Sequence, residues 1–249
     1  MLLGVALALA ASGCEGKLVG RGEEMRLGDE AARQIERQYP VSTDAEQGWL
    51  IARIGRQVAA QSNRPNVDFT FKVLHVREIN AVSVPGYVYV NDGLINVINA
   101  DPDELAAIVA HEVAHTTERH MAKQLERVYG AAFLLNMLSS GRASIDTLAQ
   151  IALELALRGY SRGDERAADA QGLRFMSRAG YDPWAMVRFF EQLRKETGDT
   201  HGLNRYFTTH PMTSERISRA REQIIKEHLA PNRPQAPSGG LQPAEVKAH

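Results

Sequence analysis

Apolar residues recur at helical spacing from Arg21 to Tyr39 and from Asp44 to Ser62, where Ile51, Ile54 and Val58 fall on one face behind an N-capping Asp44. Two helices are predicted there, outside the main core. Pro65 ends that pattern. Val67, Phe69, Phe71 and Val73 then alternate with Asp68, Thr70 and Lys72, the period of a half-buried strand. Pro85-Gly86 and Asn91-Asp92-Gly93 bracket Tyr87-Val88-Tyr89-Val90, so two short strands around a kink are expected between Asn80 and Asn91.

The best-marked helix start is Asp101-Pro102-Asp103-Glu104, with an N-cap, a proline at the first helical position and a glutamate spaced to reach back to the cap. Leu105, Ile108 and Val109 give this helix an apolar face, and it is predicted to run to about Tyr129, ending near Gly130. Ala131 to Leu138 and Ile145 to Leu157 form an apolar pair broken by Ser139-Ser140-Gly141. A helix follows from about Gly163 to Gly180, and Asp182-Pro183 caps another. After Leu229 the chain is rich in Pro and Gly without periodicity, and a disordered tail is expected over 231–249.

The ordinary apolar fraction of 44% supports one domain, placed at 14–230. The net charge of -1 comes from interspersed acids and bases with no basic stripe, which argues against a nucleic-acid partner. Met1 to Gly13 are apolar or small, and Leu9-Ala10-Ala11-Ser12-Gly13-Cys14 resembles a bacterial lipoprotein signal. That resemblance implies removal of 1–13 and a lipid on Cys14; a plain cleaved signal and a reduced cysteine in an N-terminal helix are the alternatives. One cysteine excludes an internal disulfide. Elsewhere no apolar run approaches the roughly 20 residues that cross a bilayer.

His111-Glu112-Val113-Ala114-His115 sits within the well-capped helix, and its four-residue spacing puts both imidazoles on one face, where they can chelate one zinc ion with Glu112 beside them as general base. Two histidines do not complete such a site. Glu165 is the candidate third ligand, and Asp169, four residues on, could accept the free N–H of a ligand histidine. On spacing alone Glu154, Asp164 and Asp169 compete with Glu165, and His75, His120, His201, His228 and His249 show no comparable partners.

H-E-x-x-H followed about fifty residues later by Glu165-Arg166-Ala167-Ala168-Asp169 resembles the gluzincin metallopeptidases that include the CAAX prenyl endopeptidases, the HtpX-like proteases and soluble periplasmic assembly proteases. The likeness extends from Gly28 through Ile79-Asn80-Ala81, Pro85-Gly86, Tyr89-Val90 and Asp92-Gly93-Leu94 to Ala179-Gly180-Tyr181-Asp182-Pro183 and Thr209-His210-Pro211. It implies an α+β, zincin-like fold, mainly helical, with a small mixed sheet whose edge strand lines the cleft. It selects Glu165 as the third ligand of one Zn2+ per chain. It places Asn80 and the strand with Tyr87, Val88 and Tyr89 along an extended substrate, and His210 near the metal, either stabilising the oxyanion or occupying the open coordination position.

The soluble, beta-barrel assembly-enhancing branch of that family further implies unfolded or misassembled envelope proteins as substrates, the outer-membrane assembly machinery as partner, and a periplasmic, outer-membrane-anchored lipoprotein. The competing reading is a latent zinc-binding chaperone or assembly factor with a blocked site.

Overall fold

The computed structural model describes residues 20–130, 144–196, 208–211 and 214–231. The expected signal segment 1–13, Cys14, Ala131 to Leu138 and the tail from 232 lie outside the described residues. Two helices come first, α1 (Arg21–Gln38) and α2 (Ala45–Ala60), then strands β1 (Thr70–Leu74), β2 (Ala81–Val84) and β3 (Tyr87–Asn91). Seven described helices follow: α3 (Asp92–Val97), α4 (Pro102–Thr117), α5 (His120–Tyr129), α6 (Ile145–Leu157), α7 (Arg162–Arg178), α8 (Trp184–Glu196) and α9 (Ser214–Lys226).

The sheet has the order β1-β3-β2, with β1 parallel and β2 antiparallel to β3. β3 is therefore the central strand. Alternation along it splits the molecule into two cores: Val88 and Val90 face α2, α4, α7, α8 and α9, whereas Tyr89 faces α1, α5 and α6. The outer edge of β1 is covered, because Ser42 N–H donates to Val73 O at 2.8 Å and His75 N–H to Pro40 O at 2.8 Å. Among the described residues no strand pairs with the outer edge of β2. Asn91 N–H donates to Asn80 O at 3.0 Å, so by antiparallel parity Val82 and Val84 also pair with β3, while Ala81 and Ser83 turn their backbone groups outward.

Several expectations are corrected. The alternating run from Val67 forms a strand only from Thr70, because β1 pairs with β3 and that strand begins at the Gly86 turn, where Thr70 N–H donates to Gly86 O at 2.8 Å. α2 lies inside the main core, with Ile51, Ile54 and Val58 fully buried together with α4 residues. Asp101 caps α4 by accepting from the N–H groups of Asp103 and Glu104. The return contact from Glu104 is not formed: its Oε2 is buried without a hydrogen bond, and burial raises its pKa.

The predicted long helix is two. Arg119 takes a left-handed conformation (φ 60°) between α4 and α5, which costs an ordinary residue about 1–2 kcal/mol. Glu24, buried in α1, holds the turn. It accepts from Arg119 Nε at 3.0 Å and from both Arg64 amino groups at 3.0 and 3.2 Å. Neither Gly nor Pro marks the break, so local sequence does not reveal it.

Gly28 marks where α1 meets the β2–β3 turn: a Cβ there would lie 1.8 Å from Pro85 O. Because the obstacle is backbone, Gly28→Ala should destabilise the folded chain by about 1–3 kcal/mol. The measurement is a denaturant midpoint, and an unchanged midpoint would show that α1 moves aside freely.

Candidate metal centre

α4 and α7 cross closely because Gly172 meets the backbone of Ala110 and His111, where an added Cβ would sit 3.2 Å from main-chain atoms. This contact places Glu165, on the first turn of α7, against the His111 and His115 face of α4. Ser161 starts α7 with a full capping box: Asp164 N–H donates to Ser161 Oγ, and Ser161 N–H to Asp164 Oδ2. The segment 208–211 brings in His210, seated by a hydrogen bond from Thr209 Oγ1 to Asn80 Oδ1 at 3.1 Å.

One donor atom from each of His111, His115, Glu165 and His210 falls within a cluster no wider than 4.8 Å, and all four residues are buried. His111 Nε2 lies 2.9 Å from His115 Nε2 and 3.2 Å from His210 Nδ1; Glu165 Oε1 lies 3.3 Å from both His115 Nε2 and His210 Nδ1. Tetrahedral metal–nitrogen and metal–oxygen bonds of about 2.0–2.2 Å space their donors about 3.3–3.5 Å apart, close to this arrangement. Charge points the same way. Glu112, Glu165 and Asp169 are buried beside a single buried guanidinium, Arg216, which leaves a formal excess of two negative charges of the size a divalent cation offsets. The residues fit a metal ion.

The titration behaviour follows from this crowding. Burial opposes ionisation of Glu165, but the electrostatic pull of the adjoining His210 ring and hydrogen bonds from the three histidines hold its carboxyl well below the usual range. Asp169 is likewise held low, burial being outweighed by Arg216 and His111. Burial resists protonation of His111, yet Asp169 and Glu165 prevail and raise its pKa to about 9. His115 is lowered by burial and by the neighbouring His111 charge. A proton on His111 thus offsets part of the charge excess when no metal does.

Of the rival carboxylates, Glu154 is exposed. Asp164 caps α7 and pairs with Arg127 Nη2 at 2.6 Å. Asp169 lies on the other side of His111, its Oδ1 3.0 Å from Nδ1 in a charge contact off the hydrogen-bonding direction. Glu112 sits apart from the donor cluster, with Oε1 3.3 Å from His210 Nε2 and Oε2 accepting from Ser83 Oγ at 2.8 Å.

Tyr87, Val88 and Tyr89 are not at the cleft edge. They belong to the central strand, both sides of which are already paired, so no substrate strand can add there. Val88 and Tyr89 are fully buried, and the tyrosine hydroxyls of Tyr87 and Tyr89 donate to Asp29 and Glu36 of α1. The edge with no strand partner among the described residues belongs to β2, whose Ser83 touches Glu112 although Ala81 and Ser83 are themselves buried.

Three further residues join the site. Arg216 is buried, and it donates to both Asp169 oxygens at 2.7 Å, contacts Glu165 Oε2 at 3.0 Å and packs over Phe190. Tyr160 stacks on the His115 ring with centroids 4.2 Å apart. His120, left without chemistry on sequence grounds, places Nδ1 2.8 Å from His115 Nδ1. On an unbroken helix residues 115 and 120 would point about 140° apart, so only the turn at Arg119 brings them together.

A helix-borne His-Glu-x-x-His completed by a buried glutamate from a second helix, over a small mixed sheet, defines a zincin-like metallopeptidase. Residues 44–224 match the model of peptidase family M48, and the chain belongs to that family. It is 26% identical over 219 residues to the beta-barrel assembly-enhancing protease of Escherichia coli K12, covering 84% of this chain and 45% of that protein. It is 32% identical over 175 residues to the mitochondrial metalloendopeptidase OMA1 of Arabidopsis thaliana, covering 69% and 35%. With metalloprotease LoiP of Escherichia coli K12 it shares 22% identity over 211 residues, covering 82% and 81%. The chain thus spans less than half the length of the first two relatives.

Metal uptake should release protons. Below about pH 9 His111 is protonated in the metal-free chain, whereas His115 and Glu165 already offer lone pairs. Binding at pH 7.5 should therefore release at least the His111 proton, which alone makes affinity rise about tenfold per pH unit toward pH 9. Calorimetry in buffers of different ionisation enthalpy reads this directly; pH-independent affinity between 6 and 8 would contradict it.

Proposed function

We propose that the chain is a zinc-dependent endopeptidase acting on unfolded or misassembled envelope proteins, with its site held latent by His210. The observation that carries this reading is the convergence of His111, His115, Glu165 and His210 donors beside Glu112. Nitrogen-rich donors with one carboxylate at tetrahedral spacing suit zinc. Bound there, the ion supplies a Lewis acid that acidifies water and polarises a peptide carbonyl.

The chain's own residues do the rest. Glu112, steadied by Ser83, takes a proton from the attacking water and delivers it to the leaving amine. The outward backbone groups of Ala81 and Ser83, buried at 1% and 3% exposure, would hold a peptide as an added strand once their cover is displaced, a mode that recognises main chain rather than sequence and so suits unfolded polypeptides. Asn80, at the start of that edge, ties it to the His210 segment. Asp169 and Arg216 hold His111 and Glu165 in place. With a metal bound, His210 would take the position that a catalytic site keeps for water, a reading supported by its Nδ1 lying 3.2 Å from His111 Nε2 and its Nε2 facing Glu112.

The envelope substrates, a partnership with outer-membrane assembly machinery, a periplasmic location and a lipid anchor at Cys14 rest on the likeness to the beta-barrel assembly-enhancing protease and on the N-terminal motif. No described helix is long and apolar enough to cross a membrane. The single domain is assigned to 14–230.

The same His210 contact favours a second reading, a zinc-binding chaperone or assembly factor whose site never opens. Unfolded casein tests both. Glu112→Gln should retain zinc near one per chain and lose at least a hundredfold in cleavage, whereas Glu165→Ala should lose zinc as well. Full activity in Glu112→Gln would sink the assignment. His210→Ala should cleave faster than the native chain if His210 blocks the site. If neither the native chain nor His210→Ala cleaves while both take up zinc, the chaperone reading stands instead.

A further inference from the structure

The two histidines of the His-Glu-x-x-His motif are backed in chemically different ways. Behind His111 stands a carboxylate, Asp169 Oδ1 at 3.0 Å from Nδ1, itself paired with Arg216. Behind His115 stands another imidazole, His120, whose Nδ1 lies 2.8 Å from His115 Nδ1 with the rings at 73°. Both rings are buried, at 1% and 2% exposure, so water does not substitute for this contact.

The protons in this contact can be placed by elimination. His115 turns Nε2 into the donor cluster, 3.3 Å from Glu165 Oε1 and 2.9 Å from His111 Nε2. A neutral imidazole that offers Nε2 to a metal carries its proton on Nδ1. His115 Nδ1–H must then donate to His120 Nδ1, which is an acceptor only in the tautomer with hydrogen on Nε2. His120 Nε2 faces Asp164 Oδ1 at 3.7 Å, and Asp164 is fixed by Arg127 and Ser161. The chain Arg127–Asp164–His120–His115 therefore runs from the protein surface to the donor cluster with one consistent proton arrangement.

We infer that His120 is a positioning residue of the metal centre: it accepts the Nδ1 proton of His115 and so fixes the tautomer and ring angle with which His115 presents Nε2. This rests on the metallopeptidase reading of the site. It explains why the chain spends a left-handed Arg119 to turn back at the end of α4, since that turn puts residue 120 behind residue 115.

Two substitutions separate positioning from packing. His120→Phe keeps the ring and removes the acceptor, whereas His120→Asn removes the ring and keeps an acceptor oxygen near the Nδ1 position. Zinc affinity by chelator competition should fall roughly 10–100-fold in His120→Phe and stay within about threefold of native in His120→Asn. The visible spectrum of the cobalt-substituted protein should change in the first and not the second. Equal affinity of His120→Phe and the native chain, or equal losses in both variants, would overturn the inference. Independently of any variant, nitrogen-15 spectra of the zinc-loaded native chain should show His120 protonated at Nε2 only, and protonation at Nδ1 would also overturn it. A native chain that takes up no zinc would instead bring down the metallopeptidase reading itself.

Discussion

A buried excess of negative charge governs this structure. Glu112, Glu165 and Asp169 lie at 1–6% exposure around one guanidinium, a cost that the fold bears only if something positive completes the group. In the metal-free chain part of that positive charge is a proton on His111, and a divalent ion is the more complete answer. The surrounding architecture keeps the group in place. Gly172 lets α7 approach α4, the Ser161 capping box fixes the first turn from which Glu165 projects, and Arg216 reaches from α9 to bind Glu165, Asp169 and the carbonyls of His210 and Pro211.

That arrangement couples chemistry to access. His210 comes from a short segment tied to Asn80 through Thr209, and Asn80 leads into β2, the strand whose outer edge pairs with no other strand among the described residues. A peptide seated along β2 would meet Ser83, Glu112 and the His210 segment together. The groups proposed to block the site and to hold a substrate are thus neighbours in the fold.

Much of the fold was readable from local rules. Periodicity found α1 and α2, Asp44 and Asp101 capped their helices as expected, and Pro85-Gly86 marked the hairpin. The errors have a common physical origin in contacts between distant segments. The length of β1 was set by β3, the place of β3 at the centre was set by its two partners, and the break at Arg119 was set by Glu24, ninety-five residues earlier. Reading Tyr87 to Tyr89 as an edge failed because alternation reports which face a side chain takes, not how many neighbours a strand has.

By itself the sequence determined the pair His111 and His115 with Glu112 between them, because four residues on a helix bring two side chains to one face whatever surrounds it. It narrowed the third carboxylate to a few candidates, and family likeness chose among them. Only the tertiary structure decided that Glu165 and His210 reach the same point, that Ser83 rather than a tyrosine strand touches the general base, and that His120 stands behind His115. The first two are contacts across tens of residues, and the third, though only five residues apart, depends on the turn at Arg119 that Glu24 holds from α1, so no local rule carries them.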